Sequence, residues 1–348
     1  MSNFDDVLRG IDSSRKNTFN CIPFPFPSLA PYLPGIVPKH IYLVTAGTGV
    51  GKTQFTDFAF VYNAYDFVRG TETDITVKIF YYSLELSKNV KTLQGICKRL
   101  YEQYDIVTDI NTLQSFSKNR MSEEVYQKIM GCHEYFDQFS DVCSIYDDRI
   151  NPYGIYKELY SYARANGTIE TTPLAITEYV GTSKVSKTIE KFKRYVPNKP
   201  KEIVIVVIDH LSLISTQADC PSKHEAMLKV SNDMVDIRNK FGYTIVMVQQ
   251  QMASKEAEQF TNKGSSIISK LEPGVEGLSD MKLSSRDAEV IIGLFNPHKF
   301  GVTEYRGRNI EQYGEEFRSL SIIKNRYGVA DIHMGMRFKG AVNHFNEI

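Results

Sequence analysis

The sequence predicts an α/β fold, with a mostly parallel central sheet and helices on both of its faces. Three observations carry that expectation. The run Ile41 to Thr53, IYLVTAGTGVGKT, sets a glycine-rich loop between an apolar strand and a segment of helical period. The run Ile203 to Ile208, IVIVVI, is unbroken and β-branched throughout, as a parallel strand covered on both faces requires. Around these two, short apolar runs alternate with amphipathic segments, the pattern of repeated strand and helix units.

Each element follows from local composition. Residues 1 to 20 are polar and charged, with one short helical stretch around Phe4 to Ile11, and read as an arm or linker ahead of a single domain over residues 21 to 348. The proline-rich lead-in from Cys21 to His40 excludes regular helix and favours an extended, packed approach to the first core strand at Ile41. Gln54 to Val68 has apolar residues at Phe55, Phe58, Ala59, Tyr62 and Tyr65, which predicts one helix. Val77 to Ser83 reads as a buried strand, Leu84 to Tyr104 as a helix, Ser122 to Phe139 as an amphipathic helix and Val142 to Tyr146 as a short strand. Pro152 to Ala165 continues as a helix. Asn166 to Pro200 is Thr- and Lys-rich without a strong period and reads as an insertion or exposed lobe. Glu225 to Phe241 is helical, and strands follow at Thr244 to Val248, Val290 to Leu294 and Leu320 to Ile323.

Composition narrows the function classes. The 41 basic and 41 acidic side chains cancel, so contact with nucleic acid has to come from a local patch. Cys21, Cys97, Cys132, Cys143 and Cys220 lack short paired spacings, which argues for reduced thiols rather than a disulfide framework or a zinc site. No run approaches the roughly 20 apolar residues of a membrane span, and MSNFDD is not a signal peptide. A cytoplasmic protein without a membrane partner is expected.

The glycine-rich loop carries the chemistry. Ala46, Gly47, Thr48, Gly49, Val50, Gly51, Lys52, Thr53 and Gln54 would wrap backbone N–H groups around the phosphates of ATP, helped by the helix dipole. Lys52 would reach the β- and γ-phosphates, and the Thr53 hydroxyl would sit on Mg²⁺. Ala46 stands where this motif usually has glycine, so the first turn must tolerate a Cβ. Asp209 closes IVIVVI at a carboxyl strand end, where open α/β sheets contact ligands. It is the expected partner of Mg²⁺ opposite Thr53, the alternative being a strand-terminating aspartate that caps a turn.

Because His210 rather than a glutamate follows Asp209, the base has to come from elsewhere. Glu85, just past the strand Val77 to Ser83, is the candidate, on the expectation that this strand lies next to the phosphate-loop strand. The alternative is a charge stabilising the start of a helix from Leu86. Gln250 ends the strand TIVMV at the same rim, where an amide can sense the γ-phosphate or bond the attacking water. The assignment within Gln249, Gln250 and Gln251 is open by one residue, and a structural glutamine is the alternative. Lys324 and Arg326, at i and i+2 in KNRYG, should point the same way and suit a phosphate, supplied from a neighbouring subunit, or else be surface charges before a turn.

Together these pieces resemble the ATPase domain of DnaB-type replicative helicases, in the RecA-like class of P-loop NTPases. AGTGVGKTQF is similar to that family's phosphate loop, YYSLELS to its catalytic-glutamate segment and VIDHLSLI to its magnesium strand. IVMVQQQM resembles the sensor-glutamine strand, GLSDMKLSSRDAEVIIGL the DNA loop with its following strand, and IIKNRYG the trans-acting Lys and Arg. The resemblance runs from about Cys21 to Phe345, with 166 to 200 unmatched. It implies Lys52 and Thr53 on phosphate and metal, Glu85 as base, Asp209 on Mg²⁺, Gln250 as sensor, and Lys324 and Arg326 acting across a subunit interface. It further implies a ring, hexameric in this family, that moves on single-stranded DNA, with Lys255, Lys263, Lys270, Lys282 and Arg286 as candidate phosphate contacts.

Only some 20 residues precede the core, so primase binding through the family's N-terminal domain is not expected, although a primase or a loader stays open as a partner. The arm is left as a linker helix docking on the next subunit. A compact helicase of this kind fits a bacteriophage or other mobile element, acting in the host cytoplasm. Two rivals remain at this point: a recombinase or regulatory ATPase of the RecA and KaiC kind, and a nucleotide-switched helicase accessory protein.

Overall fold

The computed structural model of the chain describes residues 3–116, 118, 120–148, 150–180, 183–251, 271–278 and 282–348. Helix α1 (Asn3–Ser14) is followed by short strands β1 (Ile22–Pro23) and β2 (Gly35–Ile36), which pair with each other in the proline-rich lead-in. Strand β3 (Ile41–Ala46) is buried along its length and delivers the chain into the glycine loop. The helix beyond it is not the single α-helix that its period predicts. It runs as α2 (Lys52–Thr56), a π-helical segment Asp57–Tyr62 and α3 (Asn63–Gly70). All six residues of the π segment are buried, which is broader than the stripe one α-helical face can bury.

Strand β4 (Thr76–Ser83) leads to α4 (Lys88–Tyr104), whose N-cap Ser87 accepts from the Val90 N–H. After α5 (Ile110–Leu113), the expected helix from Ser122 to Phe139 is two helices, α6 (Glu123–Met130) and α7 (His133–Val142), broken at Gly131 and Cys132. Strand β5 (Cys143–Tyr146) and helix α8 (Pro152–Ala165) follow, the latter with Asn151 as N-cap and proline at its first position. The polar lobe is a long hairpin of β6 (Gly167–Val180) and β7 (Ser183–Pro197), anchored where Phe192 and Tyr195 pack on Phe241. Its described tip half is exposed on both faces, so the hydrophobic alternation that marks a half-buried strand is absent from its sequence.

Strand β8 (Glu202–Asp209), helix α9 (Lys223–Phe241) and strand β9 (Thr244–Gln250) complete the parallel part of the core. Helix α9 opens with a Ser222/Glu225 capping box and closes on Gly242 at φ 76°. Strand β10 (Val290–Phe295) and the small pair β11 (Glu304–Tyr305) and β12 (Arg308–Asn309) precede β13 (Phe317–Asn325), β14 (Ile332–Lys339) and β15 (His344–Glu347). The main sheet has the order β15-β14-β13-β10-β3-β9-β8-β4-β5. From β10 to β5 all neighbours are parallel, and β13, β14 and β15 extend the sheet antiparallel.

The two faces bury separate cores. One packs Tyr42, Val44, Tyr81 and Val207 against Phe55, Phe58 and Tyr62 of the helix after the glycine loop. The other packs Leu43, Tyr82, Val206 and Met247 against Ile155 and Leu159 of α8 and Met234 and Ile237 of α9. No helix among the described residues is long and apolar enough to cross a membrane.

Candidate functional site

The carboxyl ends of β3, β9, β8 and β4 form one rim, as parallel pairing dictates. Ala46 closes β3 and is fully buried. The loop's left-handed positions fall instead on Gly49 at φ 72° and Gly51 at φ 106°, so alanine at the first position costs nothing. Gly51 is fixed twice over, because a Cβ there would stand 3.0 Å from the Phe338 ring. Lys52 opens α2 and its Nζ donates to the Gly47 carbonyl at 3.2 Å, folded over the loop it is expected to serve.

Opposite, the Thr53 hydroxyl donates to Asp209 Oδ1 at 3.1 Å. The second oxygen, Oδ2, accepts from Tyr81 at 2.9 Å. The Asp209 carboxylate is thus engaged by side chains on two other elements. A hydroxyl and a carboxylate are the hard oxygen donors that Mg²⁺ takes beside water and phosphate. The described residues contain no cluster of three His, Cys, Asp or Glu, and a cation held by one carboxylate and a nucleotide needs none.

The three glutamines of QQQ have different surroundings. Gln250 Nε2 donates to Thr48 Oγ1 of the glycine loop at 2.6 Å, while Gln251 Nε2 reaches Thr45 Oγ1 at 3.0 Å and Gln249 is buried in the strand.

Glu85 lies at the same rim but not where adjacency to the loop strand would put it. Strand β4 is separated from β3 by β8 and β9 and pairs with the strand that carries Asp209, with Ser83 opposite Asp209 in register. Glu85 is exposed and stands 3.8 Å from His210 Nε2, whose Nδ1 is 2.6 Å from Ser212 Oγ. Burial holds the His210 ring below the usual histidine range, with Glu85 pulling the other way. The helix after Glu85 starts at Lys88 on a Ser87 cap, so Glu85 does not sit in its first turn.

Lys324 and Arg326 lie at the other end of the sheet. Strand β13 runs antiparallel to β10, and its end at Asn325 is level with Val290 and Tyr42, the start of β3. The length of β3, about 20 Å, separates them from their own glycine loop. They do point the same way, since Lys324 Nζ donates to the Ser285 and Arg286 carbonyls at 2.8 and 2.9 Å, and Arg326 donates to the Arg286 carbonyl at 3.1 Å. Buried Glu289 accepts from Arg326 at 3.2 Å, from Arg238 at 2.6 Å and from the Ile41 N–H at 2.7 Å. Burial lowers the Lys324 ammonium below its usual range, and Arg326 adds to the effect.

Of the candidate DNA contacts, Lys255, Lys263 and Lys270 lie outside the described residues. Lys282 opens the short helix Lys282–Asp287. Arg286 is exposed and pairs with Asp287 at 3.2 Å.

Residues 21–347 match the family model of the DnaB-like helicase C-terminal domain. The chain belongs to this family. Among solved structures it is similar to one described as an ATPase domain, at 17% identity and a TM-score of 0.67, covering 99% of this chain and 97% of that one. It is equally similar to a DnaB-like replicative helicase solved to describe its interactions with primase, at 16% identity and a TM-score of 0.67, covering 100% of this chain and 68% of that one. Comparison with curated proteins gives no match. The DnaB-like chain is thus an ATP-dependent replicative helicase domain with a RecA-like fold that binds nucleotide, and the family match favours this over the recombinase and regulatory readings.

Sequence reasoning missed two supports of this DnaB-like loop. Arg318 of β13 is 5% exposed, and its Nε donates to the Val50 carbonyl at 2.7 Å while Nη1 holds the Glu315 and Phe317 carbonyls. Burial lowers this guanidinium to about 10. Its one signal in the sequence is a lone cation inside FRSLSII, a run otherwise free of charge. Lys299 is the second, reaching the Thr48 carbonyl at 3.4 Å from a loop that carries no motif.

Proposed function

We propose that this chain works as a ring, six-fold by analogy with its family, in which each ATP lies between two subunits. Lys52 and the loop N–H groups from Gly47 to Thr53 hold the phosphates, and Thr53 with Asp209 holds Mg²⁺. When bound, that cation would neutralise phosphate charge. Glu85 accepts the proton of the attacking water. Gln250, already tied to Thr48, reports the γ-phosphate to the segment after β9, where residues 252 to 286 are proposed to hold single-stranded DNA. Lys324 and Arg326 complete the site of the next subunit.

The observation that carries this reading is the division of the machinery. Thr53, Asp209, Gln250 and Glu85 share one rim, whereas Lys324 and Arg326 stand at the opposite end of the same sheet. An arginine side chain spans far less than the ~20 Å of strand between them, so within one subunit the pair cannot reach the phosphate loop, which supports a role at the neighbour's site. The arm supports assembly too. On α1, Phe4, Val7, Leu8 and Ile11 are exposed at helical spacing, a stripe suited to docking on the next subunit as a linker helix. Residues 1 to 20 are accordingly proposed as a linker and 21 to 348 as the motor domain, acting in the cytoplasm with a primase or loader as the class of partner to seek.

The test is steady-state ATP hydrolysis with and without single-stranded DNA, for wild type and Glu85→Gln. DNA should stimulate the wild type severalfold, and Glu85→Gln should lose about 10³-fold in turnover while still binding ATP. A Glu85→Gln variant with wild-type turnover would remove Glu85 from the base role. A rate indifferent to DNA would remove the translocating motor.

A further inference from the structure

Behind Asp209 lies a buried polar chain that the phosphate chemistry does not use. Tyr81 donates to Asp209 Oδ2 at 2.9 Å, Lys91 Nζ donates to the Tyr81 oxygen at 2.7 Å, and the same Nζ donates to both Asp57 oxygens at 2.6 and 2.5 Å. All four side chains are buried. Four elements meet here: Asp57 begins the π segment, Tyr81 is on β4, Lys91 is in α4 and Asp209 ends β8.

Donor counting fixes the direction of the chain. A lysine ammonium has three N–H groups and no acceptor, so two are taken by Asp57 and the third by the Tyr81 oxygen. Tyr81 has a single proton, and with its oxygen accepting from Lys91 it donates that proton to Asp209 Oδ2. In register, Ser83 is opposite Asp209 and Tyr81 stands two residues earlier on the same face, so its long side chain reaches the carboxylate diagonally.

We propose that Tyr81, backed by the Lys91–Asp57 pair, is a positioning residue for the metal-binding carboxylate. It occupies Oδ2, which leaves Oδ1 aimed at Thr53 and at the cation. The inference rests on the reading of Thr53 and Asp209 as the Mg²⁺ site. A partner that orients a ligating carboxylate typically changes metal affinity about 10- to 100-fold when removed. The Lys91–Asp57 pair in turn ties that orientation to the first π turn, so a shift of the helix behind the phosphate loop is felt at Asp209.

The experiment measures Mn²⁺ binding to the full chain with ADP present, read as free Mn²⁺ by electron paramagnetic resonance. It is accompanied by the Mg²⁺ dependence of ATP hydrolysis and by thermal unfolding without nucleotide. Tyr81→Phe should raise half-saturating Mn²⁺ and Mg²⁺ about tenfold, with most of the turnover restored at saturating Mg²⁺. The double variant Asp57→Leu/Lys91→Met removes both buried charges together and keeps the hydroxyl; it should shift both metal titrations in the same direction by less. Asp209→Asn is the control and should lose metal binding.

A Tyr81→Phe chain whose metal titrations superimpose on wild type, whether or not it melts earlier, overturns the positioning role provided Asp209→Asn is impaired. An Asp209→Asn chain that binds Mn²⁺ like wild type overturns the metal-site reading and the inference with it.

Discussion

The two ends of the central sheet are each pinned by a buried charge, and the charges have opposite sign. At the phosphate-loop end Arg318 gathers the carbonyls of Val50, Glu315 and Phe317. At the far end Glu289 gathers Arg238, Arg326 and the Ile41 N–H. The difference follows from what each end must offer. A cation that takes up loop carbonyls leaves the loop's N–H groups turned toward an anion. An anion that takes one edge of Arg326 steadies a guanidinium that is still 44% exposed and able to meet a phosphate elsewhere. In the proposed ring, one end would receive phosphate and the other would deliver positive charge to the neighbouring subunit.

The sharpest way to break this comparison is to disable the ends separately. Arg326→Ala should lose about 10³-fold in turnover, the scale of an arginine finger, while ATP affinity measured by fluorescent-analogue displacement stays near wild type. Mixing Arg326→Ala with Glu85→Gln, each inactive alone, should recover part of the hydrolysis, because some interfaces then pair an intact Glu85 with an intact Arg326 from its neighbour. Mixtures that stay inactive would mean that both residues act within one subunit.

A middle-sized effect is expected at the phosphate end. Arg318→Met leaves buried carbonyls without a donor, at a cost of about 2–4 kcal/mol. The midpoint of urea unfolding should fall accordingly, and saturating ATP should restore part of it through linkage. A variant as stable as wild type, with unchanged ATP affinity, would show that the loop holds its shape without this cation.

The same contrast explains what can be read from the residues alone. The phosphate end is legible because its signals are local: a strand, glycines that supply left-handed backbone, then Lys52 and Thr53, all within one continuous stretch. Asp209 is legible as the carboxyl end of a buried parallel strand because IVIVVI is β-branched throughout, and open α/β sheets turn such ends toward ligands. Supports that cross the sheet are not legible. Nothing near Arg318 in sequence indicates that it reaches Val50, and the chain from Asp209 through Tyr81 and Lys91 to Asp57 joins four separate segments.

Strand order is the other gap. Hydrophobic period finds β4 without saying which strand it joins, so the expectation that sets Glu85 beside β3 fails where β8 and β9 intervene. The π segment is invisible for a related reason. Its aromatic run satisfies an α-helical period and gains its extra width only through packing on the sheet.

The smallest effect is expected at the far end, from Glu289→Gln. The carboxylate uses one oxygen, Oε2, for the Ile41 N–H and the other, Oε1, for Arg238 and Arg326, whereas the amide has a single oxygen and no charge, so its NH₂ must face a donor on one side or the other. Arg238, mostly buried, then lacks its ionic partner. Because most of the geometry is kept, the cost should be about 1–2 kcal/mol rather than that of an ion pair cut in half. If the two ends are as independent as their separation implies, nucleotide affinity will be untouched, and turnover will fall only as far as Arg326 loses its hold. Measuring ATP affinity and turnover on the same Glu289→Gln preparation separates these. A fall in affinity without a fall in turnover would mean that β3 transmits strain from Ile41 to the phosphate loop, and that the ends of the sheet are coupled within each subunit.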